Sequence, residues 1–242
     1  MATAIKERSD QRISALTAGI SLLIMTLASF FSYGYVHGSL VVPGDAGATF
    51  TNIVSSNGLF QGEIFGWVII LITDILVAWA FYVFLEPMNK SLSLLGAWLR
   101  LTYAAILGIA ILSLIFALLL SKQASDLSFF SIEQIQTLMM LCLKAFESIW
   151  SIGLIVFGGH LFVVGYVALK SDRVPKGISI LLLLASIGYM AIHLGKTFLP
   201  QYEGAISILN LIFMVPMIAG ELGFGIWLLI RGANRRLYGS VS

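Results

Sequence analysis

Long apolar runs separated by short polar segments dominate the chain. A helix needs about 20 apolar residues to cross a hydrocarbon layer about 30 Å thick. Six runs meet that requirement, and they comprise residues 13–36, 59–85, 92–120, 149–169, 177–199 and 207–230. The runs are too long for barrel strands and lack the alternation that barrel strands show. The pattern therefore predicts an all-α polytopic membrane bundle of about six transmembrane helices.

Two of the segments between the spans have recognisable patterns of their own. Residues 37–58 are rich in Gly, Ser, Thr and Asn and contain the turn signal Pro43-Gly44-Asp45, so we expect a loop. Residues 131–146 place apolar side chains at helical spacing after a polar start. They predict an interfacial helix that runs into the fourth span.

Composition supports a single membrane domain over residues 13–230, with short polar segments at 1–12 and 231–242. The chain has 242 residues, of which 59% are hydrophobic and 11% charged, whereas soluble domains have about a quarter charged residues. The first apolar run exceeds the core length of a signal peptide, so we expect it to be retained. The single cysteine excludes an intrachain disulfide or a zinc site made of several cysteines.

The distribution of basic residues predicts the orientation. Positively charged loops stay in the cytoplasm. Only Lys122 and Lys144, with Lys196 near a span end, fall on the other side of the six-span arrangement. We therefore expect a multi-pass protein of the inner (plasma) membrane with both termini cytoplasmic. Because topology accounts for the basic residues, nothing indicates nucleic-acid binding. The basic residues assigned to the cytoplasmic side are Lys6, Arg8, Arg12, Lys90, Lys170, Arg173, Lys176, Arg231, Arg235 and Arg236.

Asp74 and Arg100 are charged residues inside the second and third spans. A charge at mid-bilayer costs several kcal/mol on insertion scales, so such residues face the bundle interior and find partners. The two residues lie roughly 16 and 12 Å from the turn that joins their helices, at 1.5 Å per residue. We predict a structural ion pair between Asp74 and Arg100 that sets the register of the hairpin. The alternative is a proton or ligand site.

Two further acids lie on polar helix faces. Glu63, Trp67, Ile70 and Asp74 follow the spacing of one helical face, which either walls an outward-open cleft or ends in wet headgroups at Glu63.

Glu221 lies deep in the last span, after Pro216. An unpaired ionised Glu221 would be very costly there, so we expect it to be protonated or paired with Arg100 or His160. The glycines at 220, 223 and 225 predict a close approach of a neighbouring helix.

His160 and His193 are candidates for a ligand or proton site. A lone membrane histidine is typical of a hydrogen bond between helices. Haem ligation by the pair needs similar depths, whereas His160 and His193 lie roughly 16 and 9 Å from the same end of their spans. We therefore expect no resident cofactor, with haem through His160 and His193 as the alternative. No metal-binding, nucleophile or nucleotide motif is present, so the sequence favours binding over catalysis.

Several short motifs resemble a known family. They include Gly38-Ser39-Leu40-Val41-Val42-Pro43-Gly44-Asp45-Ala46, Asn52-Ile53, Gly58-Leu59-Phe60, Asp74, Pro87-Met88-Asn89-Lys90-Ser91-Leu92, Arg100-Leu101, Gly158 with His160, Gly165-Tyr166 and Gly220-Glu221. Together they resemble the bacterial multi-spanning membrane family catalogued as domain of unknown function 4386, over nearly the whole chain. The chain has His37 where the family pattern has arginine. The resemblance implies a prokaryotic inner-membrane protein and no particular activity.

These observations lead to one expected function and two alternatives. We expect a small-ligand binding or transport-like bundle with a polar centre of Asp74, Arg100, His160 and Glu221. Its partners are the lipid bilayer and a small molecule or protein that the sequence does not identify. A membrane-embedded enzyme or redox protein with haem or quinone is the first alternative. The second is a structural accessory subunit of a membrane complex.

Overall fold

The computed structural model describes residues 2–122 and 130–234, and every regular element in these ranges is helical. The predicted tail residues 235–242, with Arg235 and Arg236, lie outside the described residues, as do residues 123–129. In chain order the elements are α1 (Ala2–Ser29), a π-helix (Phe30–His37), α2 (Gly38–Leu40), α3 (Ala46–Ser55), α4 (Asn57–Leu85), α5 (Lys90–Lys122), α6 (Ile132–Lys170), α7 (Lys176–Phe198), a 3-10 helix (Pro200–Tyr202) and α8 (Glu203–Ala233).

Six stretches within the described residues are long and apolar enough to cross a membrane, which confirms the predicted fold class. Each contains all or nearly all of one predicted span; three extend past it by only one or two residues at an end, and the other three extend by about a turn or more. Their bounds are Ser9–Leu40, Asn57–Leu85, Lys90–Lys122, Ile132–Lys170, Lys176–Phe198 and Pro200–Ala233. Long helices are expected here because every backbone polar group in hydrocarbon must be satisfied within its own segment.

The segment predicted as the first loop is largely helical, which corrects the sequence-based expectation. It contains α3, whose first turn is capped by Asp45, since the Asp45 carboxylate accepts a hydrogen bond from Ala48 N at 2.8 Å. Gly44 precedes the cap with φ of 82°, a left-handed conformation that favours glycine. Thr49 and Ile53 bury one face of α3. The predicted turn at Pro43-Gly44-Asp45 is present. The Gly, Ser and Thr content of the segment favoured a loop, so the short helix that follows the turn was not predicted.

The predicted interfacial helix and the fourth span form one continuous helix, α6, of 39 residues. The buried side of its first half holds Ile135, Met139, Leu143 and Phe146, at most 2% exposed. Helical spacing also assigned Ile132 and Leu138 to this side, but they are 46% and 36% exposed, so it identified the buried face only in part. No Pro or Gly interrupts residues 132–152, so nothing in the sequence ends the helix there.

The chain divides into two units, and the first comprises the described parts of Met1–Ile24, Thr73–Ala104 and Ser151–Ser242. Glycines permit close helix contacts in this unit. A β-carbon at Gly158 would lie 2.6 Å from Met190 Cγ, and one at Gly188 would lie 2.6 Å from Phe213 Cβ. Such small residues let helix backbones approach where hydrophobic burial between helices supplies little driving force in lipid. The contacts bring α6 against α7 and α7 against α8.

The second unit comprises Met25–Ile72 and Ala105–Trp150. Ser32 on the π-helix packs against Gly66 on α4, where a β-carbon would overlap its hydroxyl. Asn57 Nδ2 donates a hydrogen bond of 2.9 Å to Ser121 Oγ, which joins α4 to α5. Polar and small residues thus hold the helices of this unit together, as expected in a membrane protein.

A short polar turn joins α4 to α5. Lys90 Nζ lies 3.0 Å from Glu86 Oε1. This hydrogen bond from Lys90 lowers the pKa of Glu86 below its ordinary value. Asn89 Oδ1 accepts a hydrogen bond from Leu92 N at 3.0 Å and so caps the first turn of α5.

Candidate functional site

Asp74 and Arg100 make the contact that the sequence predicts. Asp74 lies on α4 and Arg100 on α5, and both side chains are completely buried. Arg100 Nε donates to Asp74 Oδ1 at 2.9 Å, and Arg100 Nη2 lies 2.8 Å from the same oxygen. Asp74 Oδ2 has no hydrogen-bond partner among the described residues. Asp74 Oδ1 therefore accepts from two nitrogens of Arg100, whereas Asp74 Oδ2 is buried with no such donor among the described residues.

His160 on α6 contacts the third nitrogen of the guanidinium. Arg100 Nη1 lies 3.2 Å from His160 Nε2, and His160 Nδ1 lies 2.8 Å from the carbonyl oxygen of Gly96. A carbonyl accepts only, so Nδ1 carries the hydrogen and Nε2 accepts from Arg100. This assignment makes His160 a neutral imidazole that orients the guanidinium.

Glu221 on α8 is the second carboxylate on Arg100. Arg100 Nη2 donates to Glu221 Oε1 at 3.0 Å. The Glu221 side chain is 19% exposed, whereas those of Arg100 and Asp74 are 0% exposed. Of the alternatives left open by the sequence, the structure places Glu221 against Arg100. We call Asp74, Arg100, His160 and Glu221 the Arg100 cluster, and all four belong to the first unit.

Aromatic rings surround the guanidinium of Arg100. Its Cζ lies 5.2 Å from the ring centre of Phe157 and 5.7 Å from that of Phe81. Phe81 also stacks on His160, with ring centres 5.8 Å apart. Arginine suits such a site because its planar group makes directed hydrogen bonds at its edge and stacks on rings with its faces.

The last helix positions Glu221 through a close contact with α7. A β-carbon at Gly220 would lie 3.0 Å from the Leu181 carbonyl oxygen, and one at Gly225 would lie 3.1 Å from Leu22 Cβ. These two glycines behave as predicted. A β-carbon at Gly223 would have no described neighbour from another helix within 4 Å, so the prediction of a close approach is wrong there. Pro216 lies inside α8, five residues before Glu221.

A second buried polar cluster centres on His37, a residue that sequence reasoning treated only as a departure from a family pattern. His37 Nδ1 lies 2.8 Å from Glu63 Oε1, and His37 Nε2 lies 3.6 Å from Glu147 Oε1. Glu63 is completely buried. We call His37, Glu63 and Glu147 the His37 cluster. It lies in the second unit.

Aromatic side chains enclose the His37 cluster. Tyr33 stacks on His37 with ring centres 5.3 Å apart. Trp67 packs edge to face against Trp150 at 4.9 Å and against Phe146 at 5.0 Å. Trp67 and Glu63 are two of the four residues of the polar face predicted on α4, and all four are buried.

The π-helix explains why His37 was missed. Its hydrogen bonds run from residue i to i+5, which brings residues five apart to one side of the helix. Ser32, Val36 and His37 are the buried residues of this element. Helical periodicity of 3.6 residues does not group Ser32 with His37. The sequence signal that could have identified this site was a histidine directly after an apolar run.

His193 makes a separate contact within the first unit. His193 Nδ1 lies 2.8 Å from Ser151 Oγ, and its ring stacks on Tyr189 with centres 6.2 Å apart. Neither contact brings His193 to His160. Both ring nitrogens of His160 already have partners, so haem ligation by His160 would require one of these contacts to break. Within residues 2–122 and 130–234, no group of three or more His, Cys, Asp or Glu residues is arranged to hold a metal ion.

The comparisons with known proteins agree with the resemblance seen in the sequence. The family described as Domain of unknown function (DUF4386) matches residues 17–232. An uncharacterized protein of Archaeoglobus fulgidus is 32% identical over 171 residues, which cover 70% of this chain and 83% of the relative. No solved structure matches the chain. The long match across all six spans shows that this chain belongs to the family described as domain of unknown function 4386.

Proposed function

We propose that this protein is a small-ligand binding or transport-like protein of the inner membrane, in which the Arg100 cluster holds one exchangeable proton. One observation carries the proposal: two carboxylates, Asp74 and Glu221, share the guanidinium of Arg100. With both acids ionised, the three groups carry one negative charge in excess. An excess charge buried in hydrocarbon is very costly, so a bound proton is the least costly compensation.

The geometry supports different roles for the two acids. Asp74 is completely buried and receives two donors from Arg100. It therefore holds the hairpin of α4 and α5 together. Glu221 is the only partly exposed side chain of the four and makes one contact with Arg100. Glu221 is accordingly the group through which a proton or ligand enters.

Other polar groups near these charges have supporting roles. His160 accepts a hydrogen bond from Arg100 and acts as a positioning residue. Tyr103 on α5 and Tyr189 on α7 interact electrostatically with these charges. A ligand that competes with Glu221 for Arg100 would carry a carboxylate or another anionic group, because guanidinium binds such groups through paired hydrogen bonds. Ligand uptake and protonation of Glu221 are then coupled.

The proposed location follows from the basic residues of the polar turns. Lys90 is the first residue of α5, next to the turn that joins α4 to α5, and Lys170, Arg173 and Lys176 lie around the turn that joins α6 to α7. Basic turns remain in the cytoplasm, so we place these turns and both termini on the cytoplasmic side of the inner membrane.

Infrared difference spectroscopy on protein in nanodiscs tests the proton site. A stepwise increase in pH should remove a protonated carboxyl band in the wild type, and Glu221→Gln should lose that band. Glu203→Gln is the matched control, because Glu203 is an exposed acid in the first turn of the same helix. A band that persists unchanged in Glu221→Gln, or one that also vanishes in Glu203→Gln, would contradict the assignment.

A purely structural role for the cluster makes a different prediction. In that case Asp74→Asn combined with Arg100→Gln would leave proton uptake by pH-jumped proteoliposomes unchanged, because neither group would exchange protons. The proposal predicts that the double variant, like Glu221→Gln, loses the uptake while it still inserts in the membrane. An encapsulated pH-sensitive dye measures the uptake, with Glu203→Gln again as the control.

A further inference from the structure

A cavity of about 420 Å³ lies at one end of the first unit, between the turn that joins α4 to α5 and the turn that joins α6 to α7. Leu92 and Val167 contribute apolar side chains to its lining. Asn89, Ser171 and Arg173 contribute polar and charged groups. The cavity therefore combines apolar and polar walls where apolar helices meet polar turns.

The charge of the cavity is mainly positive. Lys170 and Arg173 line it, and the Lys170 ammonium lies 5.8 Å from the ring centre of Tyr166. Asp172 also lines the cavity, but Lys176 Nζ lies 3.6 Å from Asp172 Oδ1. Lys176 thus compensates the negative charge of Asp172. The charges of Lys170 and Arg173 remain, so the cavity has a net positive charge.

The backbone around the cavity adds to its preference for anions. Asn89 caps the first turn of α5, so the amino end of this helix lies at the cavity wall. The amino end of a helix carries a partial positive charge. Lys176 Nζ bonds the carbonyl oxygens of Leu169 and Ser171 at 2.7 and 3.0 Å, which neutralises the opposite partial charge at the end of α6.

We propose that this cavity binds the headgroup of an anionic phospholipid. The phosphate would lie between Lys170 and Arg173, and the first acyl carbons would lie on Leu92 and Val167. Basic pockets between helices at the cytoplasmic surface are suited to such headgroups, since anionic lipid concentrates in that leaflet. The apolar lining favours a lipid over free phosphate, because free phosphate gains nothing from those walls.

The experiment compares thermal stabilisation of detergent-solubilised protein by added phosphatidylglycerol, phosphatidylcholine and inorganic phosphate. Phosphatidylglycerol should stabilise the wild type, and the other two additions should have much smaller effects. The variant with Lys170→Gln and Arg173→Gln should bind phosphatidylglycerol about thirtyfold more weakly, as expected for two surface cations on an anionic lipid. Lys122→Gln with Lys144→Gln is the matched control, because both lysines are exposed and lie outside the cavity lining.

A second variant distinguishes a loss of lipid binding from a folding defect in the variant with Lys170→Gln and Arg173→Gln. Leu92→Phe fills the cavity while both cations remain, so it should weaken phosphatidylglycerol binding without changing net charge. Equal stabilisation by phosphatidylcholine, or equal loss in the Lys122 and Lys144 control, would overturn the proposal. Full stabilisation by inorganic phosphate alone would overturn the assignment to a lipid. These outcomes do not depend on Glu221, so they are independent of the proton site.

Discussion

Arg100 connects four helices through three nitrogens. Nε and Nη2 contact Asp74 on α4, Nη2 also contacts Glu221 on α8, and Nη1 contacts His160 on α6. A lysine has a single ammonium on a flexible chain and would not hold these partners in one plane. The arrangement of the cluster therefore depends on the shape of the guanidinium as well as on its charge.

Removal of Arg100 should be strongly destabilising. Arg100→Gln leaves Asp74 and Glu221 without their cation, and loss of one partner of a buried ion pair costs about 3–5 kcal/mol. Asp74→Asn with Arg100→Gln should cost less than the two single changes together, because the double variant leaves only Glu221 without its cation, whereas Arg100→Gln alone leaves both Asp74 and Glu221. Unfolding in detergent measures each free energy. Additive effects of the two changes would show that their side chains are not energetically coupled.

Glu63 should contribute to stability through His37. Glu63→Ala removes the carboxylate that lies 2.8 Å from the buried His37 ring, and a buried polar group without its partner costs about 1–3 kcal/mol. Gln61→Ala is the matched control, since Gln61 is exposed on the same helix. Thermal unfolding of both variants checks the expectation. A similar loss of stability in both would contradict a specific role for the buried contact.

Residue chemistry was predictable for the Arg100 cluster and much less so for the His37 cluster. Asp74 and Arg100 stand out because charges inside apolar runs require partners. His37 lies at the end of a run, where a polar residue is ordinary. Its partner Glu147 is 110 residues away in sequence, and no local pattern links the two.

At the scale of elements, close glycine contacts position α8 against α7. Gly220 faces the backbone of Leu181, whereas Gly223 faces open space. The adjacent Glu221 reaches Arg100 only while α8 stays at this distance from the rest of the first unit. Helix packing and the geometry of the site are therefore linked through Gly220.

Gly220→Ala should destabilise the protein and Gly223→Ala should not. The new β-carbon at Gly220 would meet backbone atoms of α7 at 3.0–3.3 Å, and relief requires a shift of the whole helix. Overpacking of this kind costs about 1–3 kcal/mol. At Gly223 the substitution meets nothing within 4 Å and improves helix propensity. Thermal unfolding compares the two variants, and equal effects would contradict the packing argument.

The sequence predicted the helices better than their boundaries. Apolar length identified six spans because hydrocarbon thickness sets that length. It did not identify α3, whose ten residues contain several small polar side chains. It also did not identify the π-helix, because a change from i+4 to i+5 hydrogen bonding has no composition of its own.

At the scale of the whole molecule, the proposed orientation places α3 and the turn between α6 and α7 on opposite sides of the membrane. Thr51 lies on α3 and Asp172 lies in that turn, and both are exposed. Each is therefore suitable for a cysteine probe in a Cys142→Ser background.

A membrane-impermeant maleimide should label Thr51→Cys in intact spheroplasts and should label Asp172→Cys only after permeabilisation. The physical reason is the retention of basic turns in the cytoplasm. Permeabilised cells are the control, because both cysteines should then react. Labelling of both variants in intact cells would place them on one side and refute the proposed orientation.

Hydropathy and charge alone were sufficient for the fold class, the six spans and the pairing of Asp74 with Arg100. Lipid imposes these features locally, because each helix must satisfy its own backbone and each embedded charge needs a partner. Packing in three dimensions decided three other features: Arg100 as the partner of Glu221, the contact between His37 and Glu63, and the cavity beside Lys170. Each depends on distances between helices that are far apart in sequence, and those distances follow from how glycines and large side chains fit together.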